Sequence, residues 1–275
     1  MLKANLRRAI DPRHANPFDT TQLRDKFLID NLWSDDEVCL TYSQYDRMIV
    51  GGATPKSSPL TIDGVDQTGT QSWLDRREAV LVNLGTDGKV EAGGETYAMG
   101  RCDMLYLGMG SGAVTVSGPD AHFYIISAPA HRAIPARLIT IDDAAQVLLG
   151  DRDTSNERVI YQFVHPAVME SCQIVMGMTK LGKGSVWNTM PAHYHERRSE
   201  AYLYLDLDEG QNIVHLMGEP DETRHLIVRN EQAVLSPPWS IHSGAGTSSY
   251  AFIWAMVGDN VDYTDVNMVA MEDMR

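Results

Sequence analysis

The chain has 275 residues, enough to bury one large core or two smaller ones, and its 43% hydrophobic and 22% charged content is that of an ordinary globular protein. A formal net charge of −14 argues against nucleic acid and against an anionic membrane surface, because phosphate binding needs clustered Lys and Arg. It does not exclude a small anionic substrate, since a few arginines can dominate the field inside a pocket. Cys39, Cys102 and Cys172 are odd in number and show no C-x-x-C spacing, so no disulfide framework is expected and a reducing compartment fits better. The stretch Met1 to Asp19 carries basic residues with no apolar run behind them, and nothing approaches the ~18 apolar residues of a membrane helix. The expectation is a cytoplasmic protein with no membrane partner.

In chain order, Thr21 to Leu28 is expected as a short helix. Ala79 to Leu84 reads as a strand running into Gly85-Thr86-Asp87-Gly88, a good hairpin turn. Strands are expected at Cys102 to Leu107, Ala113 to Val116 and Phe123 to Ser127, between glycine-rich turns. Asp142 to Leu149 is a second helix candidate, with Thr140 or Asp142 as its cap. The polar stretch Asp151 to Arg158 is the expected linker between domains 1–150 and 151–275. Beyond it the strand rhythm returns at Ala201 to Leu207, Ile213 to Met217, Leu226 to Val228, Ala233 to Leu235 and Tyr250 to Val257. Many short strands with regular turn signals predict an all-β protein of sandwiches or barrels.

The two halves resemble each other. Arg76-Arg77-Glu78 precedes the strand AVLVNLG, as Arg197-Arg198-Ser199-Glu200 precedes AYLYLDL, and an aromatic strand follows later in each, FYIISAPA and YAFIWAMVG. Matches in the same order suggest a duplicated barrel.

The strongest chemical signal is Pro191-Ala192-His193-Tyr194-His195-Glu196-Arg197-Arg198-Ser199-Glu200. Residues two apart on a strand share a face, so His193 and His195 can present both imidazoles to one point. Glu200 follows His195 by an odd step, and a turn or bulge over Glu196 to Ser199 would return it to the same interior. His242 arrives from a rigid loop containing Pro237 and Pro238. Imidazoles with one carboxylate suit zinc, iron, manganese or nickel and leave positions open for substrate. The plain alternative is surface histidines and an ordinary salt-bridging Glu. In the first half, Ser72 and Leu74 fall opposite His193 and His195, and only Glu78 survives, so that barrel is expected to lack a metal.

The spacing H-x-H-x4-E with a later proline-turn His resembles the cupin metal signature, which implies tandem jelly-roll barrels with a few short helices. A more specific resemblance covers nearly the whole chain. The segments Tyr45 to Gly52, Trp187 to Pro191, Glu222 to His225, Asn230 to Val234, Pro238 to Gly244 and Phe252 to Gly258 resemble the 5-keto-4-deoxyuronate isomerase family. That resemblance implies interconversion of 4-deoxy-L-threo-5-hexosulose uronate and 3-deoxy-D-glycero-2,5-hexodiulosonate in breakdown of pectin and related uronates. It also implies a zinc ion, a homohexamer, and metal ligands at His193, His195, Glu200 and His242.

Such an isomerisation needs a base, which the sequence does not identify. Tyr202, His215 and Arg224 are candidates, with Tyr204 and His225 behind them, and Arg224 is suited to pair with a substrate carboxylate. Each has a structural alternative: packing aromatics for the tyrosines, a hydrogen-bonded core residue for His215, a surface ion pair for Arg224. Trp187, Trp239 and Trp254 are either pocket wall or core, and Asp46 and Arg47 either a subunit contact or a reach into a site. Two other classes remain open: a metal-dependent cupin dioxygenase, and a non-catalytic sugar-binding double barrel.

Overall fold

The computed structural model describes residues 1–259 and 264–275. The chain opens with β1 (Asn5–Arg7), α1 (Pro12–Ala15), α2 (Thr20–Phe27), β2 (Leu28–Ile29), β3 (Val38–Ser43), β4 (Ile49–Ala53) and β5 (Leu60–Ile62). There follow β6 (Arg77–Asn83), β7 (Gly88–Ala92), β8 (Glu95–Met99), β9 (Met104–Leu107), β10 (Val114–Ser117), β11 (Phe123–Pro129) and β12 (Arg137–Ile139). The second half carries β13 (Ala145–Leu149), β14 (Arg158–Val164), β15 (Ile174–Leu181), β16 (Trp187–Tyr194), β17 (Arg198–Leu205) and β18 (Ile213–Glu219). It ends with β19 (Glu222–Val228), β20 (Ala233–Ser236), β21 (His242–Gly246), β22 (Ala251–Gly258) and β23 (Asn267–Met268). Among the described residues no helix is long and apolar enough to cross a membrane.

The strands fall into two compact units. In the first, one sheet runs β1-β3-β4-β11-β6-β9-β12 and the other β5-β10-β7-β8. In the second, the sheets run β13-β14-β15-β22-β17-β20-β2 and β19-β18-β21-β16-β23. The order β3-β4-β11-β6-β9 thus recurs as β14-β15-β22-β17-β20, and β5-β10-β7-β8 as β16-β21-β18-β19. This is the duplication expected from the paired motifs, and each unit is a cupin-type double sheet. The division is not the simple one expected at residue 150. The first unit holds Met1–Arg7, Asn31–Ala144 and Phe163–Ile174, and the second holds Arg8–Asp30, Ala145–Gln162 and Val175–Arg275.

Three local expectations are corrected. The segment Asp142 to Leu149 is not a helix: Thr140 and Asp143 close a turn, and Ala145–Leu149 is a strand paired antiparallel with β14. Its alanines, glutamine and leucines favour a helix locally, but pairing with a neighbouring strand satisfies the backbone instead. Asp151 to Arg158 is therefore the loop of a β13–β14 hairpin, braced by Asn156 Oδ1 accepting from Asp151 N and by an Arg152–Glu157 ion pair. The turn after β6 does not close a hairpin either, since β6 pairs with β11 and β9 while β7 belongs to the other sheet. Helix α2 forms where expected. Asp19 caps it by accepting from Gln22 N while the Gln22 side chain accepts from Asp19 N, a reciprocal capping box the sequence reading did not use.

In the first unit, Glu78 is engaged by the protein's own donors. Its carboxylate, fully buried, accepts from Tyr106 Oη (2.6 Å) and from the backbone amides of Cys172, Gln173 and Ile174 (2.7, 2.6 and 2.8 Å). A carboxylate with four donors is saturated and works as a brace.

Candidate metal centre

The second unit brings four side chains to one point, and strand pairing explains how. His193 on β16 lies directly opposite His242 on β21. The same two strands pair Trp187 with Ala245 and Asn188 with Gly244, and an unbroken register would then set Met190 opposite His242. A slip between Asn188 and His193 brings the histidine there instead. Thr189, inside this irregularity, has φ 56°, a left-handed conformation that a β-branched residue seldom adopts. His195 follows on the same face, and a turn at Glu196-Arg197 starts β17, which carries Glu200. The odd spacing is thus absorbed by a turn, as expected. Ser240 N donates to Pro237 O (3.0 Å), folding the proline loop so that it delivers His242.

His193 Nε2 and His242 Nε2 are 3.1 Å apart, and Glu200 Oε2 lies 3.1 Å from His242 Nε2 and 3.3 Å from His195 Nε2. A tetrahedral ion with ligands at about 2.05 Å separates its donor atoms by about 3.3 Å. These three distances are close to that polyhedron edge, and the donor atoms of the three histidines all lie within 4.8 Å of one another. His195 and Glu200 are 4% exposed and His242 1%, so water does not compete freely for these atoms.

Hydrogen bonds behind the ring nitrogens set the tautomers. Ser236 Oγ donates to Ser240 O (3.5 Å) and lies 3.1 Å from His242 Nδ1, so it accepts the Nδ1 proton. His195 Nδ1 is 3.3 Å from Asp265 O, a carbonyl that can only accept. Arg198 Nη2 donates to the same carbonyl (2.9 Å), a closer contact than its 3.3 Å approach to His195 Nδ1. Both rings therefore turn Nε2 lone pairs toward Glu200, whose buried Oε2 receives no hydrogen bond. Lone pairs and a carboxylate converging without a proton repel one another, a conflict that a divalent cation would resolve.

Charge states agree. Burial, then the neighbouring His242 and His195, push His193 down to about 2, and burial also lowers His242, so these rings stay neutral and able to ligate.

A cavity of about 330 Å3 opens on this cluster. His193, His195 and Glu200 line it, together with Arg158, Thr179, Asn188, Tyr202, Phe252 and Trp254. Gly177 makes room for the wall: a Cβ there would stand 2.3 Å from the Trp254 ring and 2.4 Å from Tyr161 O. Trp254 Nε1 donates to Thr179 Oγ1 (3.1 Å), which fixes the indole.

Of the remaining candidates, Tyr202 lines the cavity. Tyr204 does not; its hydroxyl meets His215 Nδ1 at 2.7 Å, and both residues are fully buried. Burial, then His242, pushes His215 down to about 3, so it is a neutral core histidine. Arg224 is turned away, donating to Asn16 O and Phe18 O, and is not placed to meet a ligand in the cavity. His225 is exposed on β19. Trp239 donates to Ile10 O and packs edge-on against Phe27, and Trp187 is half-buried on β16 outside the lining. Asp46 and Arg47 form the β3–β4 turn with φ 47° and 54°, and Arg47 O accepts from Arg77. The sequence reading missed Arg158 and Ser236. The first read as the end of a linker and the second as an ordinary strand residue; only pairing and burial reveal either.

The KduI/IolB family model matches residues 42–273. Proteins named 4-deoxy-L-threo-5-hexosulose-uronate ketol-isomerase from Cereibacter sphaeroides and Agrobacterium fabrum are 59% and 54% identical over 275 residues, covering all of both chains. One of the same name from Shouchella clausii is 45% identical, covering 98% of this chain and 100% of its own. Among solved structures, an IolB-like protein from Salmonella typhimurium LT2 superposes with a TM-score of 0.72 at 15% identity, over 88% of this chain and 96% of that one. Tomato vicilin does so at 0.52 and 9% identity, over 78% of this chain and 75% of that one, which shows a shared fold alone.

Proposed function

The chain belongs to the KduI/IolB family, and from that premise we propose that it is a ketol-isomerase converting 4-deoxy-L-threo-5-hexosulose uronate to 3-deoxy-D-glycero-2,5-hexodiulosonate. The observation that carries the reading is the cluster of His193, His195, Glu200 and His242, with neighbouring donor atoms 3.1 to 3.3 Å apart and the first three lining a cavity. We assign these four as ligands of one divalent ion. A donor set of neutral imidazoles and one carboxylate supports zinc, although it suits other ions too. A homohexamer, the cytoplasm, and a place in breakdown of pectin and related uronates complete the proposal, and these rest on the family resemblance.

When bound, a divalent ion supplies Lewis-acid polarisation of the carbonyl and its neighbouring hydroxyl. The protein's own groups do the rest. The tautomers held by Ser236 and Asp265 O keep the donor atoms aimed before substrate arrives. Phe252, Trp254 and Ile160 wall the cavity with apolar surface and limit water around the reacting carbons. Among Tyr202, His215 and Arg224, only Tyr202 lines the cavity, so it is the group we assign to moving the proton between adjacent carbons.

The test is conversion of the hexosulose uronate by purified, metal-analysed protein, followed as aldose loss before and after chelation. His193→Ala and His242→Ala are expected to lose metal and turnover together. Full turnover by a metal-free variant would refute the assignment.

A further inference from the structure

We propose that Arg158 is the carboxylate-recognising residue of this cavity, the group by which it selects a sugar acid over a neutral sugar. The substrate class rests on the isomerase reading; the position of the cation rests on geometry. Arg158 opens β14, paired with Leu149, and lines the same cavity as His193, His195, Glu200 and Tyr202. It is the one Arg or Lys among the described lining residues. In a six-carbon uronate the reacting carbonyl and the carboxylate lie at opposite ends of the molecule. A site for it therefore needs a cation apart from the ligand cluster, and Arg158 supplies one.

The guanidinium is also underused. Its Nη1 donates to Asn156 O (2.9 Å), and no carboxylate of the described residues pairs with it. Other arginines of the same unit are committed: Arg24 to Asp30, Arg152 to Glu157, Arg197 to Asp259 and Asp265, and Arg224 to two backbone carbonyls. Burial lowers the Arg158 pKa, and the groups that oppose this are the hydroxyls of Tyr250 and Tyr202 rather than an acid. A half-buried guanidinium with free donors facing a cavity is a preformed fork for a carboxylate. The net charge of −14 makes such a local cation necessary, because the field of the whole protein repels anions.

The experiment uses the metal-loaded protein and two probes that lack a carbonyl and cannot be turned over: D-gluconate and its neutral counterpart sorbitol. Trp254, in the cavity wall, reports binding by its fluorescence. The native protein is expected to bind gluconate about tenfold or more tightly than sorbitol, the size of a charge-assisted hydrogen bond. Arg158→Gln should bring that ratio close to one while leaving sorbitol affinity unchanged, and Arg158→Lys should restore part of it. With the hexosulose uronate, Arg158→Gln should raise KM by about ten- to a hundredfold and change kcat far less. The proposal is overturned if the native protein does not discriminate, if Arg158→Gln keeps the ratio, or if both probes weaken together. Loss of the isomerase reading would look different: no conversion of the uronate, with the gluconate preference and its dependence on Arg158 intact.

Discussion

Replacing Ser236 by alanine tests whether the cluster is aimed from behind. Ser236 Oγ lies 3.1 Å from His242 Nδ1 and is 2% exposed, so no water stands ready to take its place. Losing one buried hydrogen bond costs about 1 kcal/mol net. Freeing the imidazole to populate both tautomers adds about 0.4 kcal/mol, the RT ln 2 cost of selecting one of two states. Together, about 1.4 kcal/mol corresponds to roughly tenfold weaker metal binding, at the lower end of the range for groups that orient a ligand. Competition against a chromophoric chelator measures it directly, with urea unfolding of the metal-free proteins as the control. Unchanged metal affinity in Ser236→Ala, with the fold intact, would refute the claim that this hydroxyl fixes the ligating tautomer.

Glu78→Gln should destabilise the protein by about 3 kcal/mol, because an amide NH2 must face donors that the carboxylate now accepts from; thermal melting should fall by about 6–12 °C. His215 is folded neutral with its pKa lowered to about 3, so its contribution is fully present above the unfolded value near 6.5 and is lost as pH falls from there toward 3. Urea titrations of the metal-free protein between pH 6 and 4 should show an acid slope shallower by about 1.4 kcal/mol per pH unit in His215→Gln. Arg224→Ala should lower stability, since its guanidinium ties Asn16 and Phe18, yet leave KM for the uronate unchanged; a raised KM would return it to the site. Calorimetry should find the metal-loaded protein more stable than the chelated one by about 3–4 kcal/mol at ion concentrations 100 to 1,000 times Kd.

Much of the candidate site was legible because it is local. H-x-H on a strand, a turn, and a Glu at the head of the next strand are separated by few residues, and period-two geometry aims the pair without knowledge of the rest. The duplicated motifs likewise revealed paired barrels, because equivalent strands carry equivalent turn signals. Pairing was not legible. Ala145–Leu149 became a strand because β14 lay beside it, and the polar stretch Asp151 to Arg158 became a hairpin loop for the same reason. Composition cannot distinguish a loop from a linker when both are solvated.

The sequence by itself determined the candidate ligand types, their strand spacing and the all-β character, since these follow from side-chain chemistry and short-range backbone geometry. Tertiary structure alone decided that His193 faces His242 through a register slip, that Ser236 stands behind the latter, and that Arg158 rather than Arg224 meets the cavity. Each depends on which strands become neighbours, and that choice is made by the burial of whole sheets rather than by any residue's own preference.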